Sequence, residues 1–434
     1  MPLTGQRTFV GFGFGAIQAG LFLYEAFQSG GFSRMLVGEV VPEPVDALRR
    51  NEGHYAVNIA HHDHVETANV GPIEIENPTV DSDRSRLIAA VAQAQEVATA
   101  VPSVRFYQGP GPGSIHRFLA NGLRKKALDG GPRAVVYAAE NHNHAAEILE
   151  AAVFEEIPAE EHARVRERVR FLNTVIGKMS GVVADAGEAQ ARHLAAVTPG
   201  SSRSFLVESF NRILISQVTF PDIPGKARFE RGISVFVEKE DLLPFEEAKL
   251  YGHNATHAMG AYLCSVRGFQ FIADLPRDPI LLGFVRDAFL KESGEALIRK
   301  HAGKDRLFTP EGYREYALDL LGRMTNPYLQ DSVERVGRDP ERKLGWDDRL
   351  VGTLRLALHQ NVVPRRYALG AAAALAMLDP SFLETDKPAR DLLAPLWGHE
   401  AIETNEAKDV LGLIKEARPH LRRWRESGFL ELPG

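Results

Sequence analysis

The chain has a single cysteine, Cys264, among its 434 residues. An internal disulfide and a zinc site with several cysteine ligands are therefore excluded. The neighbours of Cys264 are apolar, so we expect a buried structural thiol rather than a nucleophile.

Two further absences bear on partners and location. No apolar run approaches the ~18 residues that a membrane-spanning helix requires, and the first residues lack a signal-peptide pattern. There is no long basic run and the formal net charge is −6, which argues against a general nucleic-acid-binding protein. We therefore expect a cytoplasmic protein that binds neither a membrane nor nucleic acid.

A strand followed by a glycine turn is the first motif that is present. The apolar run Thr8–Phe12 leads into Gly13 and Gly15 and then into an apolar helical stretch. Glycine at 13 permits a tight turn, and glycine at 15 lets a pyrophosphate approach the backbone at the helix N-terminus. Gln18 stands where the usual fingerprint has its third glycine. The context predicts a dinucleotide site.

A second strand ends at Glu39, where a carboxylate would accept hydrogen bonds from the adenosine ribose. The same charge would repel a 2′-phosphate, so the sequence favours NAD over NADP. The strand 96–101 ends where the sheet of such a fold faces its cofactor. The predicted cofactor-binding residues are Gly13, Gly15, Ala16, Ile17, Glu39 and Val101.

Strand-like and helical runs alternate in the first half of the chain, and helical periodicity prevails from Phe245 onward. The predicted fold is an α/β N-terminal domain of Rossmann type with a doubly wound sheet, residues 1–240, and a mainly α-helical domain, residues 241–434. The predicted helices of the second domain are 245–267, 280–301, 313–324, 347–358, 367–378 and 401–427.

Three histidines and an aspartate at 61–64 suggest a metal cluster. Adjacent residues of an extended segment point to opposite faces, so these side chains could not all bind one ion. We interpret the segment as a polar turn and predict no metal site.

Asn141 follows a predicted strand that ends in Glu140. Polar residues at the carboxyl end of a parallel strand are typical of substrate chemistry. Capping of the next helix by Asn141 is an equally good interpretation from these residues alone.

The segment Lys249–His257 contains four polar residues, Lys249, His253, Asn254 and His257, within an apolar helical stretch. At about 100° per residue of an α-helix they share roughly one face. Burying a charge or an unpaired polar group is costly, so such a face requires partners or a function. A solvated helix end is the alternative.

A cationic loop interrupts the predicted helices of the second half. It carries four cations, Arg335, Arg338, Arg342 and Lys343, and is broken by glycine and proline. Such a loop suits recognition of an anionic substrate. A solvated loop paired with its own acidic residues is the alternative.

These residues together resemble one family over nearly the whole chain. The resemblance rests on Gly13-x-Gly15, Glu140-Asn141, Lys249-x4-Asn254-x2-His257, the long block Asn326–Leu344 and Asp348–Leu350. The chain resembles the polyol-specific long-chain dehydrogenases, and among them the mannitol-1-phosphate 5-dehydrogenases. The family implies NAD(P)(H) as cofactor and no catalytic metal.

The resemblance also implies roles for individual residues. Lys249 would be the general base, and Asn254 with Asn141 would hold the alcohol or alkoxide oxygen. His257 would orient the substrate or the lysine. Arg335 and Lys343 match substrate-contacting positions, and we add phosphate binding by Arg338 and Arg342 from their charge and neighbourhood.

The resemblance implies that the protein is an NAD-dependent, metal-independent oxidoreductase that interconverts mannitol 1-phosphate and fructose 6-phosphate. One alternative is an enzyme of an unphosphorylated polyol or sugar acid, and another is a dinucleotide-binding sensor without turnover. His253 and the extra segment 105–114 depart from the family pattern.

Overall fold

The computed structural model describes residues 7–220 and 229–428. The chain forms two compact units, Met1–Leu243 and Pro244–Gly434. Among the described residues, the first unit contains the β-strands and the second is helical. The expected pairing of an α/β domain with a mainly helical domain is thereby confirmed.

The strands of the first unit form two sheets. They are β1 (Thr8–Phe12), β2 (Arg34–Gly38), β3 (Tyr55–Ala60), β4 (Val65–Val70), β5 (Glu74–Glu76), β6 (Glu96–Thr99), β7 (Ala134–Ala138), β8 (Val169–Val175), β9 (Ser180–Val183), β10 (Ser204–Glu208), β11 (Ile213–Ser216) and β12 (Phe236–Lys239). The larger sheet has the order β12-β11-β8-β7-β6-β1-β2-β5, and the smaller one has the order β4-β3-β10-β9.

The larger sheet is doubly wound about β1. Strand β1 pairs in parallel with β2 on one side and with β6 on the other, so the strand order reverses there. Ligands of such sheets bind outside the carboxyl ends of the strands at this switch point. The segments that follow β1 and β6 therefore flank the expected ligand crevice.

The helices of the first unit cover the larger sheet. They are a π-helical segment Gln18–Leu23 continued by Tyr24–Ser29, then Pro42–Arg50, Asp81–Gln93, Ile115–Leu128, Ala145–Glu155, His162–Arg166 and Ala186–Ala191, with 3₁₀ turns at Val104–Phe106 and Ala159–Glu161. The two-residue period of β1 sends Phe9 into one apolar cluster and Val10 and Phe12 into another. The sheet is thus buried on both faces, as a parallel sheet requires.

The second unit is a set of packed helices. They are Leu243–Glu247, the π-helical segment Ala248–Asn254, Ala255–Arg267, Pro279–Ala288, the π-helical segment Phe289–Gly294, Glu295–Lys300, Pro310–Met324, Val333–Gly337, Pro340–Lys343, Val351–His359, Arg365–Leu378, Ser381–Glu384, Ala389–Trp397, His399–Ile402 and Asn405–Ser427, with 3₁₀ turns at Ile272–Arg277 and Arg306–Phe308. No helix of the described residues is both long and apolar enough to cross a membrane.

Several details differ from the sequence predictions. The smaller sheet was not predicted, and β4 and β5, which follow one another in the chain, lie in different sheets. The helix expected over 401–427 is two helices, and Ala389–Trp397 was missed. Cys264 is buried, as predicted, and burial raises the pKa of its thiol to about 12.

Candidate active site

The glycine turn after β1 lies at the switch point of the larger sheet. Gly13 has φ +81°, and a Cβ at this position would lie 2.8 Å from the carbonyl oxygen of Ala100, beyond the end of β6. Only glycine fits both constraints. A Cβ on Gly15 would meet no atom within 4 Å, so open space faces this backbone. Helical residues begin at Ala16 and Ile17, which gives the turn the form of a pyrophosphate cradle.

Glu39 lies beside this turn at the end of β2. Its Oε2 accepts a hydrogen bond of 2.7 Å from the amide of Phe14, and its Oε1 accepts one of 2.9 Å from the amide of Val41. The carboxylate is therefore held against the glycine turn with lone pairs left over. Hydroxyl groups of an adenosine ribose are donors that fit such an acceptor.

Gln18 replaces the third glycine of the fingerprint, yet its helix still packs closely against β1. Its side chain is fully buried and its two amide atoms have no hydrogen-bond partner. A Cβ on Gly11 of β1 would clash with the Gln18 amide. The close helix–strand packing that the third glycine usually allows is here permitted by a glycine on the strand.

The end of β6 is fixed by a buried carboxylate from β7. Glu140 accepts hydrogen bonds from the Val101 amide at 2.9 Å and from the Thr99 hydroxyl at 2.9 Å. The hydroxyl of Tyr107 also donates to this carboxylate, which ties the extra segment 105–114 to the strand end. Burial raises the pKa of Glu140. Glu140 therefore has a structural role beside the predicted cofactor residue Val101.

Asn141 is exposed just beyond β7, at the carboxyl edge of the larger sheet. The N-cap of the following helix, Ala145–Glu155, is His144. The amide of Ala146 instead donates to the side chain of Asn173 at 2.9 Å. The interpretation of Asn141 as a helix cap is therefore wrong. Its position at the carboxyl end of β7 is the one on which the prediction of a substrate role depends.

Lys249 and Asn254 lie on a π-helical segment, Ala248–Asn254, rather than on an α-helix. The prediction of uniform α-helical angles is wrong here. A π-helix links residues five apart, which is the separation of Lys249 and Asn254, so both side chains lie on one side of the segment. His257 follows in the α-helix Ala255–Arg267. Single π turns are frequent at functional sites.

The packing of Tyr313 explains why the helix adopts the wider π-helical form at Ala248–Asn254. A Cβ on Gly252 would lie 2.6 Å from the Tyr313 hydroxyl, and one on Gly294, in the second π-helical segment, would lie 2.7 Å from the Tyr313 ring. The two π-helical segments of the second unit, Ala248–Asn254 and Phe289–Gly294, thus each carry a glycine that makes room for one buried tyrosine. The hydroxyl of Thr353 donates to the carbonyl of Tyr251 at 3.1 Å and binds the first segment.

The environment of Lys249 favours its neutral form. Burial and then the charge of Arg349 lower its pKa to about 8, while Glu246 acts in the opposite direction. An amine with a pKa near neutrality can both accept and return a proton. This is the property that a general base in alcohol oxidation needs.

Burial lowers the pKa of both histidines of the segment. Burial lowers the pKa of His253 well below its usual range, and the proximity of His257 and of the Arg323 guanidinium adds to the effect. Burial, followed by Arg335, Arg349 and Lys343, lowers the pKa of His257 to about 3. His253 is 6% exposed, with its ring 6.3 Å from that of His257. His253 is therefore a packed ring whose surroundings disfavour its charged form.

The cationic loop forms two short helices, Val333–Gly337 and Pro340–Lys343. Lys343 is buried, and its Nζ donates to the carbonyls of Val336, at 2.6 Å, and of Arg338. Arg335 donates to Asp331. Lys343 and Arg335 thus bind protein groups, whereas Arg338 and Arg342 are exposed, with Arg342 lying 3.7 Å from Asp348.

Two residues of this site were missed from the sequence. Arg349, next to the loop, influences the pKa of Lys249, His257 and also Lys343. The Oδ2 of Asp331 lies 3.5 Å from the Nε2 of His257. The available signal was their position in the segments that carry the family resemblance, but proximity to Lys249 and His257 is a tertiary property.

The segment 61–64 is the turn between β3 and β4, as predicted. The rings of His61 and His64 are stacked 4.5 Å apart, and they pair with Glu66 and Asp63 at 3.1 and 2.7 Å respectively. Across residues 7–220 and 229–428, no group of three or more histidine, cysteine or acidic side chains is placed to hold a metal ion.

Known families match both units. A family model described as the mannitol dehydrogenase Rossmann domain matches residues 7–222. A second, described as the mannitol dehydrogenase C-terminal domain, matches residues 241–413.

Solved structures share the fold. A substrate-free D-sorbitol dehydrogenase aligns with a TM-score of 0.74 and 15% identity, over 98% of this chain and 94% of that chain. The Pseudomonas fluorescens mannitol 2-dehydrogenase, in a ternary complex with NAD and D-mannitol, aligns with a TM-score of 0.69 and 16% identity, over 96% of this chain and 92% of that chain.

Proposed function

Because the chain belongs to the mannitol dehydrogenase family, we propose that it is an NAD-dependent oxidoreductase that interconverts a polyol phosphate and a ketose phosphate. The substrates we assign are mannitol 1-phosphate and fructose 6-phosphate. The observation that carries the redox chemistry is Lys249, whose pKa is lowered to about 8 on a segment shared with Asn254.

NAD is supported by the glycine turn and by Glu39. The turn has open space above Gly15, and the Glu39 carboxylate is held against it. A 2′-phosphate at this place would be repelled by the carboxylate charge. A solved relative of similar fold binds NAD together with D-mannitol.

In the proposed mechanism, Lys249 accepts the proton of the substrate hydroxyl in its neutral form. The side-chain amide of Asn254 donates to the oxygen as negative charge develops on it, and Asn141 is proposed as a second donor. His257 accepts a hydrogen bond that orients the substrate or the lysine. The glycine turn and Glu39 would hold NAD, which would supply the hydride acceptor for the reaction.

Phosphate recognition is assigned to the exposed cations Arg338 and Arg342, with Arg335 and Lys343 contacting the sugar. Guanidinium groups bind phosphate oxygens in a fixed geometry. One observation favours an unphosphorylated polyol instead, because the carboxylate of Asp348 lies 3.7 Å from Arg342 and would compete with a phosphate for that guanidinium group.

A panel of ketoses with NADH separates the two substrates. We expect turnover with fructose 6-phosphate at a much lower KM than with fructose. The double variant Arg338→Gln/Arg342→Gln should raise the KM for the phosphate ester by about 10–100-fold, since charge-assisted bonds of about 1.5–3 kcal/mol are lost, and leave fructose unchanged. Arg314→Gln, at an exposed arginine of the same unit, is the control. An equal change for both ketoses would reject phosphate binding here.

Lys249→Ala tests the base. We expect kcat to fall by about 10²–10⁴-fold, the usual contribution of a positioned proton acceptor. Binding of NADH, measured by fluorescence titration, should be retained. Lys291→Ala removes an exposed lysine of the same unit and should behave as wild type. Near-wild-type turnover of Lys249→Ala would reject the assignment.

A further inference from the structure

Asp331 bridges the two groups of side chains in the helical unit. Its Oδ1 accepts a hydrogen bond from Arg335, one helical turn further along the chain. Its Oδ2 faces the Nε2 of His257 at 3.5 Å. One carboxylate thus contacts a cation of the loop with one oxygen and faces the histidine of the Lys249 helix with the other.

The two facing atoms have unsatisfied hydrogen-bonding capacity. Both His257 Nε2 and Asp331 Oδ2 are buried from solvent and make no hydrogen bond to any other group. An unpaired buried polar atom costs about 1–3 kcal/mol. A closure of roughly half an ångström would bring the pair into the normal hydrogen-bond range. The geometry therefore favours a contact between them.

The backbone of Asp331 is held in place from both sides. Its carbonyl accepts a hydrogen bond of 2.9 Å from the Ile272 amide, and the Val333 amide donates to the Gln270 carbonyl at 2.8 Å. Phe271 and Ser332 form a β-bridge between these two bonds. Asp331 is 9% exposed, so the position of its carboxylate is determined by the fold.

A neutral imidazole has one N–H group, and its second nitrogen is an acceptor. The tautomer is selected by the partner of the other nitrogen. A carboxylate can only accept, so Asp331 requires the N–H of His257 on Nε2 and leaves the Nδ1 lone pair as an acceptor. This acceptor is what a substrate hydroxyl or the Lys249 ammonium group needs.

We infer that Asp331 is a positioning residue that fixes the tautomer and the orientation of His257 while holding Arg335. The expected effect of Asp331 on kcat rests on the proposed function. The tautomer itself is a property of the free protein. Asp331 acts through His257 and Arg335 and is assigned no contact with the substrate.

Asp331→Asn separates the two contacts. The amide oxygen can still accept from Arg335, while the amide nitrogen donates to His257 and forces the proton to Nδ1. We expect kcat to fall by about 10–100-fold, the range seen when the partner of a metal-binding histidine is replaced, with little change in KM for the sugar. Asp331→Ala removes both contacts and should raise this KM as well. Asp339→Asn, at an exposed aspartate of the same loop, is the control.

The tautomer is read by NMR of protein labelled with ¹⁵N-histidine, using His257→Gln to assign the signal. We expect an Nε2–H tautomer in the wild type and an Nδ1–H tautomer in Asp331→Asn. A wild-type Nδ1–H ring, an imidazolium at pH 7, or a tautomer that Asp331→Asn leaves unchanged would overturn the inference, as would an unchanged kcat after a tautomer change. The wild-type spectrum decides without any variant. A wild type that turns over no polyol or ketose would reject the proposed function, and the NMR result would still judge Asp331.

Discussion

Lys249 has two charged neighbours with opposite effects on its pKa. Burial and Arg349 lower the pKa to about 8, and Glu246 raises it. The neutral amine needed for alcohol oxidation is therefore a minor form at pH 7 and the major form above pH 8. Reduction needs the protonated amine and has the opposite pH dependence.

The pH profile of kcat/KM tests this balance. For oxidation, we expect kcat/KM to rise with pH and level off above about pH 8. Arg349→Gln removes a cation, so the pKa of Lys249 should rise and the inflection should move to higher pH. Glu246→Gln removes an anion, so the inflection should move to lower pH. The position of the inflection is the measurement, since either variant can also lower the plateau.

Two inflections that do not move, or that move in the same direction, would contradict this account of the lysine. Lys291→Ala, at an exposed lysine, should leave the profile unchanged.

Local signals predicted some residues of the site and could not predict others. Gly13 and Glu39 could be predicted because a glycine turn and an acid at the end of the next strand have a fixed spacing within one local unit. Arg349 and Asp331 affect Lys249 and His257 from other segments of the chain. No periodicity connects such pairs, and their proximity depends on tertiary packing.

The π-helical segments show how packing overrides helix propensity at the scale of the element. Ala248–Asn254 and Phe289–Gly294 both pack against Tyr313 through a glycine. The ring of Tyr313 lies 5.7 Å from Phe289 and 5.6 Å from Tyr316, nearly perpendicular to the former. The tyrosine therefore has little freedom to move, and the helices accommodate it by widening.

Gly252→Ala tests whether this packing positions Lys249. The added methyl group would lie 2.6 Å from the Tyr313 hydroxyl, so we expect a loss of about 1–3 kcal/mol in the free energy of unfolding and a fall in kcat. Denaturant unfolding and steady-state kinetics measure the two effects.

Gly260→Ala is the matched control, because the nearest atom there is 3.8 Å away. In a helix interior alanine should be neutral or stabilising by up to about 1 kcal/mol. Equal stability and kcat in both variants would show that the contact with Tyr313 does not hold the segment.

The hydrophobic pattern could predict the central strands β1, β2, β6 and β7 of the larger sheet but not the separate smaller sheet. Strands β3 and β10 of the smaller sheet are buried along almost their whole length, as are strands of the larger sheet, so their residues do not distinguish the two sheets. Which sheet they join depends on the parallel pairing of β10 with β3, a long-range contact. The π-helical geometry was equally hidden, since the residues of Ala248–Asn254 give a helical pattern of either kind.

At the scale of the whole molecule, the chain divides its candidate chemistry between its two units. The glycine turn, Glu39 and Val101 belong to Met1–Leu243, whereas Lys249, Asn254 and the cationic loop belong to Pro244–Gly434. Cofactor preference and sugar preference should then respond to different substitutions. Steady-state kinetics can measure whether a substitution changes cofactor preference without changing the KM for the sugar.

Glu39→Gln and Glu39→Ala test the cofactor half of this division. The glutamine keeps an acceptor for the Phe14 amide but loses the charge that would repel a 2′-phosphate. We expect the ratio of kcat/KM for NAD to that for NADP to fall about 10–100-fold in both variants, in line with about 1.5–3 kcal/mol for a bond to a charged group. The KM for the sugar should stay at its wild-type value, because Glu39 lies in the other unit from the cationic loop.

Glu43→Gln, at an exposed glutamate on the following helix, should leave both quantities unchanged. An unchanged cofactor ratio would remove the ribose role from Glu39, and a change in sugar KM would contradict the division of labour.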